Sequence, residues 1–206
     1  MPTRTRPYHH GDLRAALMDA AIDVTRAGGP TALSLREATR AVGVSPAAAY
    51  RHFGDRAHLL RAVALEVQTR MGTTMRHHMR APRDAPPDER ALRRLRGVGL
   101  GYVAFAQDEP GWFETAFFGD ATDRPADVPI TAPPPPFALL TAALDECVAA
   151  GALAAERREG AEFACWSAVH GCAVLLIHGP LRDAPAAMRR RVTERTVDDI
   201  IAGIRG

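Results

Sequence analysis

At 206 residues the chain can bury a real core, as one domain of moderate size or two small ones. Its 47% hydrophobic and 24% charged residues are those of a globular protein rather than a disordered one. The net charge of +2 conceals an asymmetry, because residues 1–96 hold 17 Arg against 9 acids and residues 97–206 hold 9 Arg against 15. A basic half beside an acidic half predicts a polyanion-binding part joined to a part that avoids DNA.

The beginning MPTRTRPYHHGD lacks the apolar core of a secretory signal, and no apolar run reaches the ~18 residues that span a bilayer. A cytoplasmic protein with no membrane partner is expected. Cys147, Cys165 and Cys172 are odd in number and widely spaced, which fits reduced thiols.

In chain order, a helix is expected from Asp12 to about Ala27, with Leu13, Ala16, Leu17, Ala20, Ala21 and Val24 as its apolar stripe. Gly28-Gly29-Pro30 should stop it. Ser34 has the side chain of an N-cap, and Glu37 follows at capping-box spacing. Leu35, Ala38, Thr39 and Val42 share a helix face, Gly43 ends the helix, and Val44 reads as a buried plug at the turn. Ser45 and Pro46 open a second short helix, AAAYRHF, which closes at Gly54. Asp55 can cap the next, predicted to run to about His78, roughly 35 Å at 1.5 Å per residue.

The segment APRDAPPDE (81–89) reads as a linker, followed by a helix from about Asp88 to Gln107. Asp108-Glu109-Pro110 leads into a short aromatic segment, and GDATDRPADVPITAPPPP into a long proline-rich loop. Helices are expected from about Pro136 to Ala150, Glu156 to His178 and Pro185 to Ile204. The whole chain therefore reads as all-α, with a three-helix unit over residues 1–60 and a helical remainder over 61–206.

Two short helices joined by a tight turn form the helix-turn-helix arrangement that places its second helix in a major groove. From about Tyr8 to Val63 the chain resembles the N-terminal domain of TetR-family transcriptional regulators, most specifically at Tyr50-Arg51-His52-Phe53. Further on, WSAVHG (166–171) is similar to the Trp…His-Gly signature of one C-terminal subgroup of that family. The resemblance implies a DNA-binding domain followed by a larger helical domain that dimerises, through its last two helices, and binds a small molecule. No cofactor and no metal are expected.

For DNA, Ser45 can reach a phosphate or base, while Pro46, Ala47 and Ala48 can only pack on apolar groups such as a thymine methyl. The resemblance puts Tyr50 and His52 on the phosphate backbone. Arg36 and Arg56, each near a helix start, are further phosphate candidates. Arg4 or Arg6 in the arm could enter a minor groove, and Phe53 reads as core. For an effector, Phe105, Trp112, Phe113, Phe117, Phe137, Trp166 and His170 are the candidates, and they suit a mainly apolar ligand with a polar tip. Trp166 and His170 share a helix face, where His170 either lines the pocket or bonds a backbone carbonyl.

The expected function is a ligand-responsive repressor, a homodimer on a palindromic double-stranded operator. An architectural or nonspecific DNA binder is the alternative, with a steep salt dependence and little sequence preference. A histidine-dependent enzyme fits poorly. His9-His10 and His77-His78 are adjacent pairs that point apart on a helix, His170 and His178 are eight apart, and no zinc, phosphate-loop or G-x-S-x-G motif is present.

Overall fold

The computed structural model describes residues 10–119 and 133–206; Arg4, Arg6 and most of the proline-rich loop lie outside them. Among the described residues the regular structure is all helix: α1 (His10–Ala32), α2 (Leu35–Val42), α3 (Pro46–Phe53), α4 (Arg56–His78), α5 (Pro87–Asp108), α6 (Pro110–Phe118), α7 (Pro135–Ala149), α8 (Ala161–Ile177) and α9 (Ala186–Arg205). None of these is long and apolar enough to cross a membrane.

Packing divides the described residues into two units. The first holds residues 10–67 and 111–119, the second 68–110 and 133–206. This differs from one cut at residue 60 in two ways. The first turns of α4 stay with the reading head, and so does nearly all of α6.

In the first unit α1 kinks where its sequence predicts a stop, at Gly29 (φ 66°, ψ −168°), with one further turn behind Pro30. Leu17, Ala21, Leu33, Leu35, Ala38, Ala49, Phe53, Leu59 and Leu60 form its core. Each such leucine withdrawn from water contributes on the order of 1.5–3 kcal/mol, far more than any one surface contact here. α6 docks on α1: Trp112 Nε1 donates to the Ile22 carbonyl at 2.8 Å, and the Arg26 guanidinium lies 4.9 Å from the Trp112 ring centre.

In the second unit α5 is central, touching α7, α8 and α9. Val98, Tyr102, Val103 and Phe105 on α5 are buried there, as are Leu144, Cys147, Val169, Leu176 and Val197 on its neighbours. Two glycines let α5 press on the second half of α4: a Cβ at Gly97 would stand 2.4 Å from the His78 carbonyl oxygen, and one at Gly101 2.7 Å from the Met75 Cα. Arg96 holds Asp198 on α9 with two hydrogen bonds, at 2.6 and 3.1 Å. α8 begins five residues later than its periodicity suggests. A single 3-10 turn (Ala155–Arg157) and Gly160, with φ 75°, intervene. All three cysteines are free and buried, and burial pushes the Cys147 and Cys165 thiols up to about 11.

Candidate functional site

The reading head is built by caps legible in its sequence. Ser34 Oγ accepts the Glu37 amide at 3.0 Å, while the Glu37 carboxylate turns to Arg40. At the other end Gly43 takes the left-handed conformation (φ 76°, ψ 31°). Its amide and that of Val44 reach back to the carbonyls of Arg40 and Thr39, closing the turn as a Schellman motif. Val44 is half-buried rather than a sealed plug.

α3 then starts at Pro46. Ser45 holds the N-cap position with no capping hydrogen bond from its hydroxyl, so the oxygen is not committed to the helix end. Asp55 Oδ1 accepts the His58 amide at 2.8 Å and starts α4; the hydrogen bonds from His58 hold this carboxyl below its ordinary range.

The outer surface of α3 carries Ser45, Pro46, Ala47, Tyr50 and Arg51, all exposed. Ala47, Tyr50, Arg51 and Gly54 are spaced i, i+3, i+4, i+7 and so share one face. Arg36 is exposed on α2, and His52 is half-buried at the edge of α3. Two residues expected on this surface lie elsewhere. Ala48 is 8% exposed, turned with Ala49 and Phe53 toward the core, because the helix is short and one side must cover α1.

Arg56 is a brace rather than an outer cation. Its Nε donates to the Leu33 carbonyl at 2.7 Å and an Nη to the Pro30 carbonyl at 2.6 Å. The Pro30 carbonyl otherwise accepts only a long hydrogen bond, 3.3 Å, from the Leu33 amide, and a cation adds about 1.5–3 kcal/mol per charged hydrogen bond at these two oxygens. Sequence reasoning passed over Arg51, whose exposure on the face of Ala47 and Tyr50 follows from the helix period alone.

The seven effector candidates separate into two sets. Trp112, Phe113 and Phe117 belong to the first unit, where Trp112 and Phe113 are buried and the Phe113 and Phe117 rings stand 5.0 Å apart. Trp112 and Phe113 are therefore packed in the head, anchored to α1 as described, while Phe117 is half-buried. Phe105, Phe137, Trp166 and His170 belong to the second unit, and Phe105 is buried on α5.

Around Trp166 a polar chain passes through a residue that sequence reasoning missed, Tyr102. Trp166 Nε1 donates to the Tyr102 hydroxyl at 3.2 Å, and that hydroxyl lies 2.8 Å from His170 Nδ1. An indole N–H only donates, so the phenol oxygen accepts it, and the same oxygen shares a hydrogen bond with Nδ1 whose direction follows the imidazole tautomer. Burial lowers the His170 pKa from its ordinary 6.5 and raises that of Tyr102, so both are neutral at pH 7. The Phe137 ring lies 5.3 Å from Trp166 and 6.0 Å from Phe163. The result is a half-buried aromatic group on α5, α7 and α8 with a neutral imidazole and a phenol at its centre.

Among the described residues no three His, Cys, Asp or Glu side chains are placed to hold a metal ion.

The chain matches two family descriptions. Residues 17–63 match the bacterial regulatory proteins of the tetR family, and residues 95–200 the tetracyclin repressor-like C-terminal domain. No curated protein matches it in sequence. Among solved structures it is similar to a protein of unknown function from Rhodococcus sp. RHA1, with 25% identity, a TM-score of 0.74 and 98% of this chain and 100% of that one covered. It is also similar in fold to a TetR variant from Acinetobacter baumannii AYE solved in complex with minocycline (17% identity, TM-score 0.60, 97% and 99% covered). A third similar fold is the TetR family transcriptional regulator PfmR from Thermus thermophilus (18% identity, TM-score 0.54, 90% and 97% covered). With both its reading head and the larger part of its second unit matched, the chain belongs to the TetR family of transcriptional regulators.

Proposed function

We propose that this regulator is a homodimeric repressor that binds a twofold-symmetric operator and leaves it when a mainly apolar small molecule binds the second unit. The observation that carries the reading is one chain holding both an exposed reading face on α3 and a half-buried aromatic group around a neutral imidazole. On DNA, Arg36, Tyr50 and His52 hold phosphates and so set register. Ser45, Pro46 and Ala47 lie closest to the bases, with methyl contacts and DNA shape supplying part of the preference. Arg51 joins them as a long donor on that face, suited to the O6 and N7 of a guanine. Ala48 and Arg56 act beneath, by fixing the shape of the head.

Pairing of two copies is supported by α8. Its sequence is apolar nearly all round, yet Phe163, Ser167, Gly171 and Leu175 form an exposed row at spacing four, with Phe163 60% and Leu175 45% exposed. An apolar row of this kind on a regulator suits a second copy, and a twofold pair of heads reads half-sites ~34 Å apart. In the second unit an apolar effector would lie against Phe137 and Trp166 with its polar end at Tyr102 and His170. A preference of a few kcal/mol for one dimer geometry is enough to release the operator.

The test is selection of bound duplexes from a random pool by purified protein at physiological salt. The expected result is one enriched palindrome. Binding with a steep salt slope and no enrichment would instead identify a nonspecific DNA binder and sink the repressor reading.

A further inference from the structure

The positive charge of the first half of the chain does not lie mainly in the reading head. Residues 1–67 hold 9 Arg against 6 acids, a surplus of +3, whereas residues 68–96 hold 8 Arg against 3 acids, a surplus of +5. The second stretch runs from the later turns of α4 through the linker into α5, entirely within the second unit.

An open cleft of about 710 Å³ lies there. Arg76, Arg80, Arg83, Arg90 and Arg94 line it together with Ala81, Met79 and Leu139, and none of its described lining residues is acidic. Arg94 is neutralised by Glu146 at 2.7 Å. Arg90 donates to the Arg83 backbone carbonyl at 3.3 Å and so ties the linker to α5. Arg76, Arg80 and Arg83 carry no ion pair among the described residues.

Helix electrostatics account for part of this arrangement only. A cation in the last turn of α4, such as Arg76, is favoured by the negative helix end. Arg90 stands in the first turn of α5, where acids such as Asp88 and Glu89 are favoured instead. Like charges converging from three segments on one concave surface repel one another, and a bound anion relieves that repulsion.

We propose that this cleft binds a small molecule carrying two or more phosphate or carboxylate groups. Guanidinium forks match both oxyanions bidentately, and Met79 and Leu139 offer an apolar surface for the rest of the ligand. The volume is that of a site for an organic molecule rather than for a single inorganic ion. The site shares no residue with the aromatic group at Tyr102, Trp166 and His170, so it stands whether or not that group binds an effector.

The experiment uses the full chain, with pyrophosphate and citrate as probes, thermal unfolding and titration calorimetry as readouts, and sodium chloride matched for ionic strength. Either probe is expected to raise the unfolding temperature beyond the chloride control. Binding should fall about tenfold or more in Arg80→Gln/Arg90→Gln and stay unchanged in Arg182→Gln/Arg190→Gln, which loses the same charge elsewhere. Arg83→Gln, in the linker, gives the same reading should the double variant unfold. Pyrophosphate alone binding would place the ligand among phosphate esters; citrate alone would place it among polycarboxylates. No binding of either probe beyond chloride overturns the proposal, as does an equal loss in the control variant. Retention of nonspecific duplex DNA through these arginines, with neither probe bound, would assign the cleft to nucleic acid instead.

Discussion

The Tyr102 hydroxyl shows what one side chain contributes when it joins two others. It takes the Trp166 N–H and shares a hydrogen bond with His170 Nδ1, so Tyr102→Phe removes a partner from both while keeping the ring. Urea unfolding of that variant should show a loss of about 0.5–1.5 kcal/mol, the net worth of a hydrogen bond between half-buried groups. No change would mean that water serves them equally well. His170 makes a prediction in pH. Its folded pKa is depressed, so the stability it contributes is fully present above its ordinary 6.5 and is lost as pH falls below that value toward the folded pKa. Chemical unfolding from pH 8 to 5 should show this decline, and His170→Gln should flatten it; an equal slope in both proteins would place the titration elsewhere. On α3, Arg51→Ala should cost about 1–3 kcal/mol on the selected operator and relax preference at one base position. Tyr50→Phe should instead weaken binding evenly across sequences. At this scale the sequence shows what lies on one helix face, such as Trp166 with His170 or Ala47 with Arg51. It does not show Tyr102, whose partners stand more than sixty residues away on another helix.

Elements were most legible where a chemical signal marks their ends. Ser34 as cap, Gly43 in the left-handed region and Pro46 at the first helical position fix α2 and α3 to the residue, because each answers a defined backbone need. The start of α8 was not legible, since Glu156 to Arg158 are good helix formers and nothing in their composition reveals the conformation of Gly160. The aromatic run of α6 is ambiguous for a different reason. Rings suit a ligand pocket and a core equally, and the docking of Trp112 on the Ile22 carbonyl was not legible in the sequence. The contact of α5 with α4 was invisible too, because Gly97 and Gly101 read as weak points in a helix. Gly101→Ala should improve helix propensity by up to about 1 kcal/mol and still destabilise the protein, since overpacking against the backbone at Met75 costs about 1–3 kcal/mol. Thermal unfolding checks the sign, and a stabilised variant would show that α4 can give way.

For the whole molecule, charge gave a correct direction and a wrong address: the basic half holds the reading head, but most of its surplus belongs to the second unit. Net charge by sequence segment cannot follow a boundary at residue 67 that only packing defines. Assembly is where the remaining prediction lies. If the exposed row on α8 pairs with itself across a twofold axis, any charge placed there faces its own copy. Leu175 is 45% exposed in the single chain, so Leu175→Arg removes little from the core of its own unit. Across a twofold, however, it would bury like charges against each other, at a cost of several kcal/mol. Sedimentation at micromolar concentration should find the wild type as a dimer and Leu175→Arg as a monomer with unchanged far-UV circular dichroism. Affinity for the full operator should fall with it, because each head then holds only one half-site, while binding to an isolated half-site should be unaffected. A variant that stays dimeric and keeps full operator affinity would move the interface away from this face of α8.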